Sequence, residues 1–288
     1  MEYFIHLAIL IGIYIPLALS LNLVVGYTGL LSVTHAAFYG VGAYAVAILT
    51  TVYNFHFLSA LLIGIILAGI LAGLLGLILS RFKDDYYALV SFGFNIIIYS
   101  IFLNWESLTR GPLGIPGISR PTLFGFEFSS NLSFLVLTIV GAGIVYLISL
   151  GITKSSFGRV LKGIREDEKA LSIFGYNTQQ FKLTIFVITA GMAGLAGGLF
   201  ATYITFIDPS TFGLNESIFI LAIIILGGMA SLKGSVVGAI FLILLPEILR
   251  FVGFPTDIAA QMRQVVYGLL LVLLMLYRPQ GLVGEYKL

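Results

Sequence analysis

Cysteine is absent from the 288 residues, so disulfides and thiolate metal sites are excluded. Charge is scarce too: 10% of residues are Asp, Glu, Lys or Arg, where soluble domains carry about 25%. No GxxxxGK[ST] phosphate loop occurs, so the chain does not bind ATP in that way. Gly40-Val41-Gly42 is no nucleotide fingerprint either, because it stands inside an apolar run with no strand before it. Three histidines, widely spaced, offer no metal-ligand pattern, and no carboxylate ladder of the kind a proton-coupled pump needs runs through the apolar segments. No catalytic constellation and no cofactor is expected.

What remains is apolar: 59% hydrophobic residues and a mean hydropathy of +1.07. A bilayer core about 30 Å thick needs roughly 20 apolar helical residues to cross. Nine segments approach that length or could fill it with their neighbours: residues 3–25, 30–50, 57–80, 86–103, 132–152, 183–203, 218–226 (too short to span alone unless 215–217 join it), 235–250 and 265–277. The expected fold is all-α, a polytopic membrane bundle of 8–10 transmembrane helices forming a single permease domain over 1–288. The start has no basic n-region and the first apolar run is long, so the first helix reads as a retained span.

Two hydrophilic stretches interrupt the bundle. Residues 104–131, with Pro112, Pro116 and Pro121, read as a structured loop. Residues 154–182 read as helical from Arg159 to Ile173, with Gly175 as a C-cap. Lys154, Arg159, Lys162, Arg165, Lys169 and Lys182 crowd into that second stretch. With nine crossings Arg81, Lys83, Lys233, Arg278 and Lys287 fall on the same side, while Arg110, Arg120, Arg250 and Arg263 fall on the other. Basic residues in short loops mark the cytoplasmic face, which puts 154–182 inside.

That inner helix sets Val160, Leu161, Ile164, Ala170, Leu171 and Ile173 beside Arg165, Glu166, Asp167, Glu168 and Lys169. A solvated connector, an interfacial helix and a helix that docks on another protein all share this composition. Glycine marks two more places, GYTGLLSVTHAAFYGVGAYA from Gly26 and GGMASLKG from Gly227. Paired Gly-interrupted segments point to a transport path, or to tight helix packing. The candidate path residues are Asn22, Ser32, Thr34, His35, Tyr39, Gly40, Gly42, Asn95 and Gly228; an interhelical hydrogen bond is the alternative for the polar ones. Asp208 and Glu216 flank an outer loop and read as solvated.

The order of GYTGLLSVTHAAFYGVGAYA, YYALVSFGFNIII, NWESLTRGPLGIPGI, FGRVLKGIREDEKALSIFGYN, KLTIFVITAGMAGLAGGLF, ILGGMASLKGSVVGAIFLILLPEILR and RPQGL resembles the LivM-type permease subunit of branched-chain amino-acid ABC importers. The resemblance covers nearly the whole chain and implies a multi-pass protein of a prokaryotic cell membrane. It implies a path for branched-chain amino acids, although relatives with similar motifs move urea, short amides or other amino acids. A secondary transporter needing no ATPase is the reading from another class. Implied partners are a second, LivH-like permease, two cytoplasmic ATPase subunits and an extracytoplasmic substrate-binding protein, with ATP hydrolysis left to those ATPase chains. The resemblance makes the inner helix the coupling helix, with Arg165, Glu166, Asp167, Glu168, Ala170 and Gly175 as the coupling residues. Its Glu-Ala-Ala…Gly motif falls on Glu168, Lys169, Ala170 and Gly175, with Lys169 in place of the first Ala. Glu168 is then expected to pair with a basic residue of the ATPase, and Gly175 to lead into a turn where a side chain would clash.

Overall fold

The computed structural model describes residues 2–82, 84–123, 125–250, 265–266, 268–269, 272–273, 276–277 and 280–284. The last predicted segment, 265–277, therefore lies partly outside the described residues, as do Lys83, Arg263, Arg278 and Lys287. The long helices are α1 (Glu2–Thr28), α2 (His35–Thr51), α3 (Phe57–Leu79), α4 (Asp84–Asn104), α6 (Asn131–Lys154), α7 (Ser156–Ile173), α8 (Thr178–Ile204), α9 (Leu214–Gly227) and α10 (Leu232–Arg250). The described residues also form a one-turn helix α5 (Glu106–Thr109), two 3-10 turns (Gly111–Leu113 and Pro209–Phe212) and four two-residue strands, β1 (Ile115–Pro116), β2 (Thr122–Leu123), β3 (Phe126–Glu127) and β4 (Phe206–Ile207). The all-α bundle expected from composition is what forms.

Among the described residues five helices, α1, α3, α4, α6 and α8, are long and apolar enough to cross a membrane. α9 and α10 reach that standard only together, and they bend through 119° at a short break. The second predicted segment is shorter as a helix than its apolar run, because residues 29–34 are non-helical and α2 starts at His35. Hydrocarbon supplies no hydrogen bonds, so such backbone is tolerated only inside protein.

α1 is the buried post of the bundle. From Pro16 to Thr28 every residue is buried. Close approach around it and around α8 depends on small residues. A Cβ on Gly42 of α2 would fall into the backbone of Gly194 on α8, and a Cβ on Gly197 into the carbonyl of Tyr39. In lipid such small-residue contacts let dispersion and backbone packing drive helix association.

The two hydrophilic stretches lie at opposite ends of the bundle. The 105–130 loop pairs β1 with β4 beyond the C-terminal end of α8. α7 stands at the other end, beside the start of α8, and its Leu161 and Ile164 pack with Leu19, Leu23 and Ile185.

Candidate functional site

α7 is two helices in one. Asp167 has extended backbone (φ −153°, ψ 96°), and its carboxylate accepts from the Ala170 amide at 3.0 Å, capping the second half as Ser155 caps the first. The second half ends in a Schellman turn: the Tyr176 amide donates to the Leu171 carbonyl and Gly175 to that of Ser172. Gly175 has φ +86°, and a Cβ there would meet nothing within 4 Å. The expected clash is thus corrected: glycine is needed for its left-handed backbone, not for space.

The apolar ridge read from the sequence divides in the structure. Leu161 and Ile164 are buried in the chain's own core, whereas Ile173 is 84% exposed and Phe174, left out of that ridge, 79% exposed at the turn. Glu168 has partners within the chain. Its carboxylate accepts from Lys182 Nζ at 2.6 Å and from Thr178 Oγ1 at 2.9 Å, so it ties α7 to the start of α8 within the chain. Lys182 is itself 8% exposed. Removing one partner from a pair this sheltered would strand the other charge.

Arg165 reaches inward, and its guanidinium donates to the Gly26 carbonyl near the end of α1. Burial lowers its proton affinity, opposed in part by neighbouring Glu166. Around this joint opens a cavity of about 440 Å³ lined by Thr28, Leu31, Asp85, Asp167, Lys169 and Lys182, among others. Glu166, Asp167 and Lys169 remain on its exposed rim, and Ala170 is half-buried behind them.

The predicted path residues fall into three places. Asn22 and Gly228 meet at the break between α9 and α10, residues 228–231. There Asn22 Nδ2 donates to Ser235 Oγ (2.6 Å) and to the carbonyls of Ser231 (3.0 Å) and Gly228 (3.4 Å), while Oδ1 accepts from the Ala230 amide (2.9 Å). Gly228 has φ +125°, and a Cβ on it would stand 2.5 Å from the Gly284 amide nitrogen. Residues 282 and 283 donate their amides to Leu226 and Gly227 on the same turn.

Ser32, Thr34, His35 and Asn95 gather at the other break, residues 29–34. Ser32 and Thr34 hydroxyls bond each other at 2.9 Å, and His35 Nε2 lies 3.0 Å from Ser20 Oγ. Ser91 Oγ accepts from the Val33 amide, and Asn95 Nδ2 donates to the Val33 carbonyl (3.0 Å) and Ser217 Oγ (2.7 Å). His35 Nδ1 and Asn95 Oδ1 are buried with no partner.

Gly40, Gly42 and Tyr39 lie in neither break. Gly42 serves the α2–α8 crossing, and a Cβ on Gly40 would stand 2.6 Å from the Phe102 ring, with Phe212 next. Both glycines are thus used in packing. Tyr39 packs on Phe200 and Phe212 at centroid distances of 5.4 and 5.2 Å, and its hydroxyl is buried without a partner.

One residue read as solvated is not. Glu216, half-buried in the first turn of α9, accepts from the Tyr14 hydroxyl of α1 at 2.6 Å. A carboxylate followed directly by the apolar run 218–226 was the available signal; nothing in the spacing joins it to Tyr14. Asp208 caps the short helical turn after it by accepting from the Ser210 amide at 2.7 Å. Among the described residues no three His, Asp or Glu side chains gather as a metal would need.

Residues 3–275 match the family of the branched-chain amino acid transport system permease component. The chain is 36% identical to the high-affinity branched-chain amino acid transport system permease protein LivM of Escherichia coli K12, over 97% of this chain and 69% of that protein. It is 25% identical to the probable LivM permease of Methanocaldococcus jannaschii, over 95% of this chain and 91% of that one. The E. coli LivH permease is 27% identical over 94% and 91%. No solved structure matches.

Proposed function

The chain belongs to the branched-chain amino acid transport permease family, and on that premise we propose that it is the membrane subunit of an ATP-driven importer of branched-chain amino acids. It works beside a second, LivH-like permease, with two cytoplasmic ATPase subunits and an external binding protein. α7 faces the cytoplasm of a prokaryotic cell and takes the push of the ATPases.

The observation that carries this reading is the tip of α7. Ile173 and Phe174 stand 84% and 79% exposed on a turn held by a Schellman motif and by the Glu168–Lys182 pair. An exposed apolar pair on a rigid mount suits a groove on another protein: burying each side chain contributes about 1.5–3 kcal/mol. The mount is continuous with the bundle through Arg165 and the Gly26 carbonyl. A push at the tip therefore reaches α1 and the break after it, and a state change needs a contact that differs between states.

The test is a double substitution, Ile173→Ser with Phe174→Glu, in the complete complex in liposomes. Solute uptake and substrate-stimulated ATP hydrolysis are expected to fall to background while the two permeases still copurify. Wild-type stimulation of hydrolysis in this variant would overturn the docking role, and uptake without any ATPase chains would favour a secondary transporter. Glu168→Lys is the poorer probe, because it breaks the internal pair with Lys182 whatever docks outside.

A further inference from the structure

Glu216 brings a carboxylate into the membrane-crossing part of the fold, where such a group is costly and faces the bundle interior or a cavity. Its place in the first turn of α9 is electrostatically favourable, because helix amides there attract negative charge. That does not account for its neighbours. Tyr14, mid-way along α1, donates to one carboxylate oxygen at 2.6 Å. The next residue, Ser217, accepts from the Ala36 amide at 3.1 Å and from Asn95 Nδ2 at 2.7 Å, which brings the start of α2 and the middle of α4 to the same turn. Tyr39 lies within electrostatic reach of Tyr14 and Glu216, and its fully buried hydroxyl has no partner. Asn95 Oδ1 is buried and unpartnered too.

Helices α1, α2 and α4 thus meet the first turn of α9, α1 through the Glu216 carboxylate and the other two through Ser217, and the carboxylate uses one bond of roughly four it can accept. The same turn has two buried unpartnered polar atoms near it, the Tyr39 hydroxyl within electrostatic reach of Glu216 and Asn95 Oδ1 on the side chain that bonds Ser217, and burial without a partner costs about 1–3 kcal/mol each. The unused capacity is mainly for accepting hydrogen bonds, with one phenolic donor. The chemical group that fits is a primary ammonium, which carries three donors, a positive charge and no acceptor.

We propose that Glu216, held by Tyr14 and flanked by the Tyr39 hydroxyl, receives the ammonium group of the transported solute. This rests on the reading of the chain as an amino-acid permease and adds the residue that touches the solute. Tyr14 acts as the positioning residue, since its bond fixes the carboxylate.

The experiment uses the complete complex with Glu216→Gln, Glu216→Asp and Tyr39→Phe. Leucine uptake in liposomes is measured with the binding protein saturated. The shift in melting temperature of the detergent-solubilised complex is measured with leucine and with 4-methylpentanoate, its analogue lacking the amine. A ligand that binds only the folded state raises that temperature, and a purely structural residue would not change which ligand does so. Expected for Glu216→Gln is uptake reduced about tenfold or more, with the leucine-induced shift lost and the unliganded melting temperature and copurification unchanged. Glu216→Asp is expected to keep part of both. Wild-type uptake in Glu216→Gln would overturn the proposal, as would uptake lost only in step with assembly while the leucine shift persists. If the wild-type complex moves no α-amino acid, the permease reading itself fails and takes this one with it; wild-type transport alongside an unaffected Glu216→Gln sinks only the ammonium site.

Discussion

The two breaks in the helical pattern are held in different ways. At residues 228–231 one side chain, Asn22, makes four hydrogen bonds across the gap, and residues 282 and 283 bond to the adjoining turn from elsewhere in the chain. At residues 29–34 the work is divided among Ser91, Asn95, Ser32 and Thr34, with Arg165 reaching Gly26 just before the break. Two buried polar atoms there, His35 Nδ1 and Asn95 Oδ1, stay unpaired. A satisfied network rigidifies its surroundings, whereas one with unpaired members leaves alternatives close in energy. The break at 29–34, first in the chain, also lies between the α7 joint and the Glu216 turn, so under the coupling role proposed for α7 it is the one placed to move. The break at 228–231, second in the chain, is then the fixed elbow.

The largest effect is expected from Asn22→Leu. It takes the side-chain partner from the Ala230 amide and the Gly228 carbonyl, at about 1–3 kcal/mol for each, while the Ser231 carbonyl keeps its bond from the Ser235 amide. Unfolding in detergent should show a loss of about 3 kcal/mol. Gly228→Ala, which sets a Cβ against Gly284 at φ +125°, should cost about 2 kcal/mol by the same measurement. If both variants are as stable as wild type, the elbow is not held by this network.

Arg165→Gln tests the other break from the α7 side. The residue is partly exposed, so stability is expected to change by less than about 1 kcal/mol. Its consequence should appear in coupling: more ATP hydrolysed per solute moved, measured on the complete complex. A stability loss as large as that of Asn22→Leu, with unchanged stoichiometry, would erase the distinction between the breaks.

The smallest effect is expected from His35→Phe. It gives up one hydrogen bond, to Ser20 at 3.0 Å, and removes an unpartnered nitrogen, so the two contributions nearly cancel. Unfolding free energy should stay within about 1 kcal/mol of wild type. A loss of about 3 kcal/mol would mean that His35 holds the first break as firmly as Asn22 holds the second.

Much of this architecture was legible in the chain. Apolar runs marked the helices, and the glycines at 29 and 228 marked both breaks. Gly175 marked the end of α7. The polar site residues are legible as residue types, but their partners within the chain are not. Glu168 reads as a charge on the exposed rim, yet Lys182, 14 residues on, pairs with it, because a kink at Asp167 and a turn at Gly175 bring the two together. Glu216 reads as solvated in the chain because its partner Tyr14 lies 202 residues earlier.

The sequence by itself determined the apolar spans, the charged helix between two of them and the glycine breaks, because each depends on neighbours within about 20 residues and on a solvent that forbids unpaired backbone. The tertiary structure decided which polar groups are satisfied and which are left over. Asn22 is spent on Ala230 and Ser231, Gly42 on Gly194 and Glu168 on Lys182, while the Tyr39 hydroxyl and Asn95 Oδ1 are not spent at all. Those assignments depend on directional contacts within hydrogen-bond or van der Waals reach, most of them between residues far apart in the chain, and no local pattern of residue types encodes such distances.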